Sequence, residues 1–172
     1  MGRIDKQRLI FGAFLIVLII AVELLLHQWH LPGWPLFLLM IFFFEMHMDR
    51  SRAHHLICGG AVGILCYVAT VAFVGAAQEW LPVSSARLLF ICLVVYAIVA
   101  FGTVIPAVFN NYAFMFYLIS GVAASAGNPA PWLWLGMVVV GGPLLLLAIM
   151  AIPKLMQLLL APTAPAEDHP SN

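Results

Sequence analysis

Four apolar stretches, Leu9 to Leu26, Leu56 to Ala77, Leu88 to Ile105 and Trp132 to Ile152, occupy much of the chain and constrain its fold more than any other feature. A helix crossing roughly 30 Å of hydrocarbon needs about 20 apolar residues, and about 17 suffice. With no water to serve the backbone there, N–H and C=O groups must pair within the segment, which dictates continuous helix. A chain of 172 residues that is 65% hydrophobic and 8% charged cannot hide its apolar surface in a soluble core of this size. Two further segments are weaker. Ala107 to Ala124 is interrupted by Asn110 and Asn111, and Trp34 to His47 is short and carries Glu45. The predicted fold class is therefore all-α, a polytopic transmembrane helix bundle of about six spans over residues 1–160. Residues 161–172, rich in Pro and Ala and polar at their end, are expected to form a disordered cytoplasmic tail.

Charge gives the ladder a direction. Arg3, Lys6, Arg8, Arg50, Arg52 and Lys154 fall on one side of it, and Trp29, Trp34, Trp80, Trp132 and Trp134 fall on the other. Cations are retained on the cytoplasmic side, and indoles settle where acyl tails meet headgroups. Both termini are thus predicted to be cytoplasmic, and Arg87 alone breaks the charge rule. Arg3, Lys6 and Arg8 ahead of an apolar run imitate a secretory signal, but no A-x-A site follows, so the run is expected to persist as the first span. Six spans divide into three and three, and the weak span is the second of each half. An inverted 3+3 arrangement would place a binding site near those weak spans.

Several classes are excluded or disfavoured. Zero formal charge without a basic cluster leaves nucleic acid no footprint. Cys58, Cys66 and Cys92 lie in apolar runs without metal-ligand spacing, and neither G-x-S-x-G nor H-E-x-x-H occurs. The histidines do not face one another across helices at one depth, as a bis-histidine haem would need. No cofactor and no enzymatic activity are expected.

The stretch from Gly102 to Tyr112 is the most irregular within the apolar regions. Pro106 lacks an amide hydrogen and its ring clashes one turn back. It is read either as a broken helix whose Thr103, Asn110 and Asn111 face a permeation path, or as a tight cytoplasmic turn. Glu23, His27 and His30 share one helix face, where they form a proton or metal site or a hydrated interfacial pair. Glu45 to His55 gathers three histidines, two carboxylates and two methionines, yet Arg50 and Arg52 would repel a metal cation. Gly59 and Gly63 form a GxxxG step, read as helix packing within the bundle or between protomers.

Trp34-x-x-Phe37 opening a short span, Gly59-Gly60 opening a long one, a polar break near Pro82 and Ile105-Pro106-Ala107-x-Phe109 together resemble the YcdZ-like small bacterial inner-membrane proteins, a family of unknown function. The chain departs from that pattern at Asn110-Asn111 and in its longer polar start. The resemblance covers most of Leu31 to Leu155, implies a bacterial cytoplasmic membrane and carries over no functional residue.

The leading functional expectation is a channel or facilitator for a small neutral or weakly charged solute, since no ionisable residue lies at the predicted bilayer centre. Its path would draw on Tyr67, Thr70, Tyr96, Thr103, Pro106, Asn110, Asn111, Tyr112 and Ser120. The rival is an accessory or interaction subunit, forming a homo-oligomer or binding a partner membrane subunit through small-residue faces. Transition-metal transport through the histidines is the lesser alternative.

Overall fold

The computed structural model describes residues 6–127 and 129–160; the expected tail lies outside them. The elements are α1 (Lys6–Gln28), α2 (Trp34–Glu45), a 3-10 turn (Arg50–Arg52), α3 (Ala53–Ala77), α4 (Val83–Phe101), α5 (Asn111–Ser125), α6 (Pro131–Gly136), a π turn (Met137–Gly141) and α7 (Gly142–Leu160). The described residues contain no strand. By length and composition four helical stretches can cross a membrane: Lys6–Gln28, Arg50–Ala77, Val83–Phe101 and Pro131–Leu159. The two segments that were weak in sequence form the short helices, with α2 at 12 residues and α5 at 15.

Local chemistry sets where the helices start and stop. Pro35 and Pro131 occupy first turns, where a missing amide hydrogen costs nothing and a fixed φ helps. Helix α4 begins five residues before the apolar stretch that announced it. Pro82, at φ −55° and ψ 139°, cannot be drawn into the helix behind it, and Val83, Ser84 and Ser85 join the helix ahead. That helix ends at Phe101, where successive turns close through the amides of Val104 and Ile105 onto the Phe101 carbonyl. The π turn before Pro143 has the same kind of cause. Proline cannot donate to the carbonyl four residues back and its ring would strike it, so the ladder widens there, with the Gly142 amide bonded to Met137 O.

Side-chain neighbours fix the order of packing. The glycines at 59, 60 and 63 meet Asn110, Phe116 and Ala113 to Tyr117, so α3 and α5 run parallel. Phe42 stacks near Tyr112 and Phe116 while Trp34 lies 5.3 Å from Trp134, which makes α2 antiparallel to α5 and parallel to α6. Thus one end of the bundle collects Trp29, Trp34, Trp80, Trp132 and Trp134, and the other collects Arg50, Arg52 and Lys154. We call these the tryptophan end and the arginine end.

The centre is built on the two short helices. Leu39 and Phe43 from α2, Phe116 from α5, Leu56 and Ile64 from α3, Val138 from the π turn and Leu146 and Ile149 from α7 are fully buried. Leu36 and Leu39 lean on the Gly141-Gly142 step, where a Cβ at Gly142 would come within 2.7 Å of Leu39 Cδ1. By contrast α1 buries only Leu26, and α4 only Ala86 and Val94. Burying an apolar side chain against protein rather than lipid gains little hydrophobic free energy, so the centre is held by close packing.

Candidate functional site

The geometry of α3 against α5 changes along their length, and that change makes a site. At the arginine end the two backbones touch. A Cβ at Gly63 would overlap the Ala113 carbonyl oxygen and stand 2.7 Å from Phe116 Cβ, and one at Gly59 would overlap the Asn110 side chain. Toward the tryptophan end the contact is looser: a Cβ on Gly121, which lines a cavity there, would meet nothing within 4 Å. Helix α4 closes the third side only loosely. The result is a crevice of about 560 Å3 with Tyr67, Thr70 and Tyr117 at its floor and Arg87 and Ser125 near its mouth. Its walls include Val71, Ile91 and Leu118. Sites for small organic molecules have volumes of about 300–1,000 Å3.

The floor carries a defined polar pair. Thr70 Oγ1 donates to the Cys66 carbonyl at 2.8 Å and lies 3.0 Å from Tyr117 Oη. A threonine hydroxyl has a single hydrogen, so with that hydrogen on Cys66 the Tyr117 hydroxyl supplies the one between the two side chains. Lone pairs of the Tyr117 oxygen then remain for a donor in the crevice. One helical turn beyond Phe116, Ser120 is completely buried and its Oγ has no partner among the described residues. Trp34 Nε1, on a ring 6.2 Å from Phe116, is likewise buried and unpaired. Unpaired buried hydroxyls and indoles are costly, and their place beside Phe116 marks the least satisfied region of the interior.

The other residues predicted to line a path are placed elsewhere. Tyr96 is 70% exposed on the outer face of α4, away from the floor. Thr103 and Pro106 lie exposed in the connection from α4 to α5. Asn110 is fully engaged there. Its Oδ1 accepts from the Ala113 amide at 3.0 Å as the cap of α5, and its Nδ2 donates to the carbonyls of His55, Pro106 and Ala107 at 3.0–3.2 Å. The irregular stretch is therefore a turn that pins the start of α5 to the start of α3, and a broken helix with free asparagine amides is not formed. Asn111 is exposed at the first position of α5, and Tyr112 is buried with its ring 5.2 Å from Phe42. Tyr67 and Thr70 alone of the predicted path residues line the crevice; Ser120 is fully buried and is not among its lining residues.

The histidines remain dispersed. His27 and His30 rings are 6.5 Å apart and those of His54 and His55 4.3 Å, but no group of three His, Cys, Asp or Glu side chains that could hold a metal occurs among the described residues. His30, His47 and Met48 have φ between 53° and 58°, as residues of the tight turns that end α1 and α2.

Sequence reasoning missed Tyr117, Gly121 and Ser125 as lining residues and treated Arg87 only as an exception to the charge rule. The available signal was Arg87 itself, a lone cation on the tryptophan side. A second cavity, of about 500 Å3 between α1, α6 and α7, is lined almost wholly by apolar residues, with Trp29 and Trp132 among them.

No protein-family model matches the chain, and neither a curated protein nor a solved structure matches it, so the likeness to YcdZ-like proteins stands on its glycine, proline and aromatic positions alone.

Proposed function

We propose that the chain is a facilitator for a small solute in the bacterial cytoplasmic membrane, crossing it six times with both termini in the cytoplasm. The crevice between α3, α4 and α5 is its outward-facing binding site. The observation that carries this is the Thr70–Tyr117 hydroxyl pair among the residues lining a half-open cavity in the tryptophan-side half of the bundle. The two hydroxyls satisfy one another and the Cys66 carbonyl, and both residues line the cavity, where the spare lone pairs of the Tyr117 oxygen can accept from a solute. Helices α2 and α5 are short for a bilayer of about 30 Å at roughly 1.5 Å per residue, but they sit at the packed centre, where irregular ends are sheltered by protein.

Below the floor the interior is filled by Ile64, Leu56, Phe116 and Phe43, which favours a carrier that binds and then rearranges over an open channel. The moving part is α4, the helix with the least buried surface among the three that bound the crevice. An accessory-subunit role would need other surfaces, because the Gly59 and Gly63 face is already covered by α5. The test is solute uptake into liposomes carrying the purified protein. Gly121→Leu, whose side chain would grow into the open crevice, is expected to abolish accelerated uptake without loss of thermal stability. Uptake unchanged in that variant would refute the crevice as the route.

A further inference from the structure

We infer that the crevice selects a small organic monoanion, its acidic group held at Arg87 and its apolar body lying between α3 and α5; this rests on the crevice being the solute site. Three observations converge. Arg87, in α4, lines the mouth of the crevice, and no carboxylate pairs with it among the described residues, although Glu79 stands in the turn before that helix. The α4 N-terminus lies one turn away and has no side-chain cap, so the amides of Val83, Ser84 and Ser85 project without carbonyl partners in the helix. The guanidinium at the mouth, and the positive end of the α4 dipole one turn from it, both favour negative charge nearby. Guanidinium also presents paired donors matched to carboxylate geometry.

The walls fix the rest of the ligand. Between the mouth and the floor lie Val71, Val74, Ile91, Leu118 and Val122, so the body behind the acid is apolar. Thr70 and Val74 are one helical turn apart, about 6 Å, which limits that body to a short chain or a single ring. A dication, a sugar or a zwitterion finds no second charge or dense array of hydrogen bonds here. Arg87 on the side that cations avoid follows from this role: its charge is retained against the insertion bias because the site needs it.

The experiment is equilibrium binding of hexanoate and hexanamide to the full chain in phosphatidylcholine nanodiscs. Hexanoate is expected to bind at least tenfold more tightly than its amide. Arg87→Gln, at an exposed position, should erase that preference with thermal stability unchanged, and Arg87→Lys should restore part of it. Equal binding of acid and amide to the unmodified chain, or an acid preference that survives Arg87→Gln, would overturn the inference. So would hexanoate binding that disappears in discs containing phosphatidylglycerol, because Arg87 would then hold a lipid headgroup. Equal binding of both probes that Gly121→Leu abolishes would overturn the anion preference and leave the crevice as the solute site. Binding of neither probe, together with cysteines at 71 and 74 that stay inaccessible to an aqueous thiol reagent, would remove both.

Discussion

Replacing Gly63 with alanine perturbs the closest approach in the bundle by a single methyl group. The new Cβ would overlap the Ala113 carbonyl oxygen and lie 2.7 Å from Phe116 Cβ and 2.8 Å from the Tyr117 amide nitrogen. All three belong to the α5 backbone or are fixed to it, so no side-chain rotation relieves the overlap. The helices must part by about 1 Å, and a gap of that size forfeits roughly a quarter to a half of each neighbouring dispersion contact. Overpacking of this kind costs about 1–3 kcal/mol, offset by at most about 1 kcal/mol from removing a helical glycine. We expect a net loss of up to about 2 kcal/mol in reversible unfolding by sodium dodecyl sulfate from mixed micelles, and a larger gap from the control below. Gly121→Ala provides the matched control, since its Cβ meets nothing within 4 Å, and it should be neutral or slightly stabilising. Equal stability of the two variants would refute the claim that α3 and α5 are locked at Gly63.

Asn110→Ala removes the α5 cap and three further hydrogen bonds and should cost about 1–3 kcal/mol in the same assay, whereas exposed Asn111→Ala should change stability by less than about 0.5 kcal/mol. Thr70→Val removes the hydroxyl between Cys66 O and Tyr117 Oη; intramembrane bonds of this type average about 0.6 kcal/mol, so uptake should fall far more than stability. Asp49 gives a pH-dependent expectation. Its side chain accepts from both the amide and the hydroxyl of Ser51, and with help from Arg52 this holds its carboxyl below the ordinary value of 3.8. A depressed carboxyl pKa stabilises the 3-10 turn above the ordinary value, and the effect is lost as pH falls through the folded one. The Ser51 amide resonance should titrate with a midpoint below 3.8, and a midpoint at or above it would show that the turn is not held by the ionised carboxylate.

The long helices are legible in the sequence, because long apolar runs have only one backbone solution in lipid. The four long helices follow from length alone, and the GxxxG step at Gly59 follows from the close approach that only small residues allow. The role of Asn110 was not legible. An asparagine beside a proline fits both a broken helix and a capped turn, and the choice depends on whether a carbonyl from a distant helix, here that of His55, is within reach of its amide. The crevice was hidden for a similar reason. Its walls depend on how two helices diverge, and period and composition give each helix a face without giving the angle at which two faces meet. Tyr96 shows the same limit: its type fits a polar path, and its position on α4 turns it outward.

A solute site between α3, α4 and α5 requires that space to be wet. This requirement is tested most directly by placing single cysteines at Val71, Val74, Gly121 and Val122 in a chain lacking Cys58, Cys66 and Cys92, then adding a membrane-impermeant thiol reagent to the outside of intact cells. We expect labelling at these positions, with protection by bound solute, and none at Leu93 and Val99 on the outer face of α4. No labelling in the crevice, or equal labelling at Leu93, would contradict the account.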